Sequence, residues 1–287
     1  MDKKINDLYM EYRDGKHDRR SFLAKLAVLA GGTAAAVTLL PILEENHALA
    51  VSPEDGEADL HQEFIQYPAA SGKMKAFLAR PKTDKKLPAV IVIHENRGLQ
   101  PHILNVTRRM AREGFVALGP DALSPLGGTP EDDVDKARNM MRELDRETTI
   151  KDFVAAVAYL KTNPLTTGKV GCTGFCWGGA MTNQVAVRAP DLSAAVPYYG
   201  RQPDNEDVPK IKAAMLLQYA GEDERINSGI PAFEEALKKA NIEYAIYVYE
   251  GAQHAFNNDS NPGRYNKEAA ELAWKRTIAF FNEKLRI

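Results

Sequence analysis

Three features of the sequence predict an α/β fold with a mostly parallel central sheet and helices on both faces. From about Asp59 to the C-terminus, short apolar β-branched runs alternate with segments of helical period. The clearest run, residues 88–94, is apolar on both faces, as a strand in the middle of a parallel sheet must be. The polar clusters fall just after such runs, at the carboxyl ends of the predicted strands, where open α/β sheets hold their ligands.

Size and composition fit one such domain: 287 residues, 44% hydrophobic and 26% charged. A net charge of −2 offers no global field for nucleic acid or an anionic membrane. With Cys172 and Cys176 as the only cysteines, neither a disulfide scaffold nor a zinc-type cluster can be built. No residue pattern calls for a metal or an organic cofactor.

The chain divides into a leader, residues 1–50, and the domain, 51–287. Arg19-Arg20-Ser21-Phe22-Leu23 precedes an apolar Gly/Ala-rich run, 26–43, and Ala48-Leu49-Ala50 follows. This resembles a twin-arginine export signal with cleavage after Ala50, which places the mature protein in the periplasm. The alternatives are a retained N-terminal helix on a cytoplasmic protein, packed on the domain or on a second subunit, and an uncleaved anchor. The run is barely long enough for a span and Pro41 interrupts its end. Membrane contact is expected only through this segment if it is retained.

In the domain, 63–67 and 74–80 read as a hairpin around Ser71-Gly72-Lys73. Strand 88–94 ends in Glu95-Asn96-Arg97-Gly98. Residues 101–113 form a helix with Ile103, Val106 and Met110 on one face. Strand 115–119 leads to a Gly/Pro loop, 121–130, and then to helices 132–144 and 148–162. A strand at 169–173 turns into a helix at 180–188. Strands 194–199 and 213–219 follow, then helix 231–240, strand 244–249 and a closing helix, 267–284.

Gly174-Phe175-Cys176-Trp177-Gly178 joins a predicted strand to a predicted helix. It is the G-x-S-x-G nucleophile elbow with cysteine in place of serine. A sharp strand-to-helix turn strains the central residue, and the flanking glycines remove Cβ atoms that would collide there. The sulfur then sits at a helix N-terminus, whose free N–H groups favour a thiolate and a nearby oxyanion. Cys172, four residues earlier, reads as a small core residue.

A nucleophile needs a base and the base needs an orienting acid. Asp223 and then His254 follow Cys176, each directly after a predicted strand, in the chain order of the α/β-hydrolase fold. His254 is the only histidine after the elbow. Glu222 and Glu224 compete for the acid role, and the short Gly-x-Asp turn favours Asp223.

Gly-Phe-Cys-Trp-Gly, His-Glu-Asn-Arg-Gly, Gly-Glu-Asp and Tyr-Glu-Gly-Ala-Gln-His-Ala-Phe together resemble the dienelactone hydrolases (carboxymethylenebutenolidases), in particular a bacterial branch with a hydrophobic N-terminal extension. The resemblance covers nearly all of the chain after the leader. It implies the α/β-hydrolase fold and cysteine-dependent hydrolysis of a small-molecule ester or lactone through a thioester. It also implies a modulating role for Glu95, which holds the resting thiol until substrate displaces it, and an oxyanion hole from the backbone N–H groups of Asn96 and Trp177. Family members hold a substrate carboxylate with arginines, one of them four residues after the histidine, where this chain has Asn258. Arg97, Arg201, Arg225 and Arg264 are the candidate replacements. A thioesterase or other acyl hydrolase, and a non-enzymatic ligand-binding homologue, are the competing readings. A homodimer is compatible with the sequence.

Overall fold

The computed structural model describes residues 59–130 and 133–286 and, before them, residues 19–32 with 5, 8, 12, 35 and 36. Two compact units result, Met1–Ala58 with Asp259–Gly263, and Asp59–Asn258 with Arg264–Ile287. In the first, helix α1 (Arg19–Ala30) buries Phe22 and Leu26, one turn apart, in a small apolar cluster with Ile5, Leu8 and Ala36. It ends at Gly31 and Gly32, both at positive φ, so the apolar run is broken as a helix at that point. No helix among the described residues is long and apolar enough to cross a membrane. The expected cleavage point after Ala50 and the twin-arginine side chains lie outside the described residues.

The second unit is built on one eight-stranded sheet in the order β1-β2-β4-β3-β5-β6-β7-β8. Strands β1 (Leu60–Ala69) and β2 (Gly72–Pro81) form the expected hairpin and continue antiparallel onto β4 (Val116–Pro120). From β4 onward every pairing is parallel, through β3 (Leu87–Ile93), β5 (Thr166–Phe175), β6 (Ala194–Tyr198), β7 (Ala214–Glu222) and β8 (Tyr244–Gln253).

The two-residue period of β3 divides the core. Ala89, Ile91 and Ile93 face one apolar layer, and Val90 and Val92 face the other. The first layer is closed by α3 (Val134–Glu143), α4 (Arg146–Thr162), α5 (Trp177–Arg188) and α7 (Ile230–Lys239), through side chains such as Met141, Phe153, Val185 and Phe233. The second is closed by α2 (Pro101–Arg112) and α8 (Lys267–Leu285), with Ile103, Met110 and Phe281. Helices therefore cover both faces, and β3 is buried from Pro88 to Ile93.

Local chemistry sets the helix starts. Pro101 opens α2, where its missing N–H costs nothing. Asp133, Asp145 and Asn266 cap α3, α4 and α8 by accepting N–H bonds from Lys136, Thr148 and Ala269, each worth about 1 kcal/mol. Helix α5 departs most from expectation, beginning at Trp177 and not at residue 180. Gly178 and Gly179 are poor helix formers, yet they occupy the first turn because nothing larger fits. A Cβ on Gly178 would strike the carbonyls of Ile93 and His94, and one on Gly179 the carbonyl of Tyr198. The start of α5 is thus pressed onto the ends of β3 and β6.

Candidate active site

Cys176 sits at the point where β5 becomes α5, with φ 56° and ψ −113°. That backbone is strained for a residue with a side chain, and the surroundings enforce it. Its own N–H donates to Tyr198 O at 3.1 Å, and its carbonyl accepts the first helical bond, from Ala180 N at 3.1 Å. A Cβ on Gly174 would collide with the Gly178 backbone. The N–H of Trp177 reaches the Cys176 sulfur.

The other polar residues arrive from neighbouring strand ends. His254 follows β8, in a turn where Phe256 N donates to Gln253 O at 3.0 Å and Ala255 has φ 70°. Phe256 anchors the turn among the rings of Tyr198, Tyr199 and Tyr249. Asp223 follows β7 and is buried. Its carboxylate meets His254 Nδ1 at 2.5 Å, so it is Asp223, among the three adjacent acids, that pairs with the imidazole. The Asp223 carbonyl takes the N–H groups of Ile226 and Asn227, which start the short helix α6 (Glu224–Asn227) and fix the carboxylate.

Glu95 follows β3. Its Oε2 accepts from Asn258 Nδ2 at 2.8 Å, a partner that the residue spacing did not single out. The Asn258 side chain is buried four residues beyond His254, so the one loop carries both the imidazole and the group that holds Glu95.

These neighbours set the state of the thiol. Burial, and then Glu95, push Cys176 up to about 11, while the Trp177 N–H and Arg225 work in the opposite direction. The resting sulfur is therefore a thiol at neutral pH. Cys172 lies fully buried within β5, where its thiol meets Thr182 Oγ1 at 3.7 Å and burial pushes it up to about 12. Both cysteines are free.

Of the candidate arginines, Arg225 acts electrostatically on Cys176. Arg201 is exposed and lines a cleft of about 480 Å³ with Trp177, Arg146 and Gln184. Arg97 is half-buried, its carbonyl accepting from Gln100 Nε2, and Arg264 is exposed. No interaction among the described residues ties either of the last two to Cys176. Arg225, although exposed, is the one of the four whose charge acts on the thiol, Arg201 lines the cleft beside Trp177, and no interaction among the described residues gathers the four guanidinium groups into one site.

Two residues of the site carried no signal in spacing. His94 is fully buried, stacks on Trp177 at 5.4 Å and 13°, and bonds to backbone on both sides of its ring. Tyr199, at φ 37°, lies 5.0 Å ring to ring from His254 and feels both Glu95 and Cys176. The run Tyr198-Tyr199-Gly200 at a strand end was the available clue. Gly200 fits against the backbone of Gly179 and Ala180, which explains the glycine. No cluster of metal-ligating side chains occurs among the described residues.

The sequence and fold can be set beside known proteins. The model of the "Dienelactone hydrolase family" matches residues 74–285. The chain is 34% identical over 253 residues to a "Putative carboxymethylenebutenolidase" of Saccharolobus solfataricus, covering 75% of this chain and 96% of that one. It is 32% identical over 235 residues to a protein of the same description from Escherichia coli, covering 77% and 86%. The crystal structure of a "Putative Dienelactone Hydrolase" from Klebsiella pneumoniae superposes with a TM-score of 0.69 at 29% identity, over 78% of this chain and 99% of that one.

Proposed function

The chain belongs to the dienelactone hydrolase family, and from that premise we propose that it hydrolyses a small-molecule carboxylic ester or lactone with Cys176 as nucleophile, His254 as general base and acid, and Asp223 as the orienting carboxylate. The family and its relatives support a hydrolase acting on such bonds. The observation that carries the residue assignment is the 2.5 Å contact between His254 Nδ1 and Asp223, whose charge also acts on a cysteine held at the strained apex of a strand-to-helix turn.

The imidazole, with Nδ1–H given to Asp223, has Nε2 free to accept the thiol proton. The Sγ–C bond then forms, and the carbonyl π pair moves to oxygen, where the N–H groups of Trp177 and Asn96 receive it. Collapse breaks the C–O bond, His254 returns the proton to the leaving alkoxide, and a thioester remains. Water, deprotonated by the same imidazole, attacks the thioester and releases the acid and the thiol.

A thiol pushed up to about 11 is ionised to only about one part in ten thousand at pH 7. Glu95, held by Asn258, supports this latency. In this reading Glu95 guards the sulfur until an acyl group displaces or neutralises it. Arg225 is the arginine best placed to meet charge on a bound substrate, because it already acts on the sulfur.

The test is hydrolysis of a panel of aryl esters and lactones under reducing conditions by wild type and Cys176→Ala. The expected result is wild-type turnover and its loss in the variant. A folded wild type inert across the panel, or a Cys176→Ala protein that keeps its rate, overturns the assignment.

A further inference from the structure

His94 is a buried histidine that the reaction scheme does not use. Its ring carries two bonds of opposite demand. Ala122 N–H points at Nε2 from 3.1 Å, so Nε2 must accept and carries no proton. The proton of the neutral ring is therefore on Nδ1, 2.6 Å from the carbonyl oxygen of Glu95, and is donated there. Burial favours this neutral state by lowering the affinity of the ring for a second proton, against the pull of Asp121 and Glu95.

The bond to Glu95 O has a consequence one atom further on. The carbonyl of Glu95 and the N–H of Asn96 belong to one peptide unit, which is trans, since the described chain has no cis bond. In a trans unit the two groups point in opposite directions. Holding the oxygen against His94 turns the Asn96 N–H away from it, and no described group of the protein accepts that hydrogen.

The loop bearing this peptide is fastened at both ends to the segment after β4. His94 Nε2 takes the N–H of Ala122, and Leu99 N donates to Thr129 Oγ1 at 2.8 Å, whose hydroxyl is held by Asp121 at 2.7 Å. The same imidazole lies flat against the indole of Trp177, the residue whose backbone N–H reaches the Cys176 sulfur.

We propose that His94 is a positioning residue that locks the Glu95–Asn96 peptide in the orientation presenting the Asn96 N–H to the oxyanion, and that its Nδ1–H bond is the lock. The proposal rests on the hydrolase reading for its kinetic consequence but not for its geometry.

Two substitutions separate the two ring bonds. The amide nitrogen of an asparagine side chain falls where Nδ1 lies, and the end of a glutamine side chain reaches the place of Nε2. His94→Gln keeps a group for Ala122 and loses the lock, so kcat should fall about 100-fold, the scale of one oxyanion donor, with KM little changed. His94→Asn restores the donor to Glu95 O and should recover kcat to within about tenfold of wild type. Equal impairment of the two variants, a loss confined to KM, or losses that simply follow thermal stability overturn the lock. Nitrogen NMR of the wild-type imidazole tests it without any turnover. A neutral ring with the proton on Nδ1 is expected, and a proton on Nε2 or a charged ring overturns it even if the protein proves to hydrolyse nothing.

Discussion

Cys172 and Cys176 lie four residues apart on one ascending strand and its turn, and they show what position does to a single functional group. Both thiols are pushed up by burial, to about 12 and about 11. Cys172 has only Thr182 for company, inside an apolar layer. Cys176 is surrounded by groups that can change: Glu95 raising it, Trp177 N–H and Arg225 lowering it, and His254–Asp223 nearby. Desolvation alone makes a cysteine inert. Adjustable partners at a strand end leave the state of the same thiol open to change, as the proposed nucleophile requires.

The largest test of this contrast is deletion of each sulfur in turn. Cys176→Ala should lower kcat/KM by about 10³-fold or more. Cys172→Ala should keep kcat/KM near wild type and cost about 1–2 kcal/mol of stability from the small cavity, read by denaturant unfolding. Comparable kinetic loss in both would erase the distinction.

Alkylation by iodoacetamide is the next. Only the thiolate reacts, so a pKa near 11 means the Cys176 rate climbs about tenfold per pH unit from pH 7 to 10. Cys172 should label only after unfolding. A rate that levels off near pH 8.5 would place Cys176 among ordinary exposed thiols.

A smaller effect comes from Glu95→Gln. Removing the negative neighbour lowers the Cys176 pKa, so alkylation at pH 8 should quicken by about three- to tenfold. Burial is the larger cause of the shift, so the thiol should stay above its free value. An unchanged rate would show that Glu95 is too well screened to matter.

The smallest is Thr182→Val. This removes the hydroxyl that meets Cys172 Sγ and donates to Gly178 O at 2.9 Å. A loss of about 1 kcal/mol is expected, seen as a fall of about 2–4 °C in Tm. A much larger drop would mean that the glycine turn depends on this one bond.

The mostly parallel sheet and its two covered faces were legible because runs such as Val90-Ile91-Val92-Ile93, apolar on both faces, fit a central parallel strand, whereas the order of the strands was not read from the sequence. The order Cys176, Asp223, His254 was legible because α/β topology brings successive strand ends to one edge. The first turn of α5 was not, because glycine propensity argues against the helix that tertiary contact requires at Gly178 and Gly179. Nor was the Asn258–Glu95 bond, which joins residues 163 apart, nor the role of His94, whose two bonds both go to backbone and so leave no trace in side-chain spacing. Four arginines were chemically equivalent on paper, and folding distinguishes Arg225 as the one whose charge lowers the Cys176 pKa.

The stacking of Trp177 on His94 has an optical side. The chain has only two tryptophans. Trp274 lies under the guanidinium of Arg109, at 4.4 Å, on the far side of the sheet. Trp177, the residue after Cys176, presses its indole against the titratable ring of His94. A change of emission on adding a ligand, set against a Trp177→Phe protein in which only Trp274 still shines, would therefore come from the edge of the sheet that holds Cys176. The molecule carries a built-in lamp and a reference beside it, ready to report occupancy before any product is made.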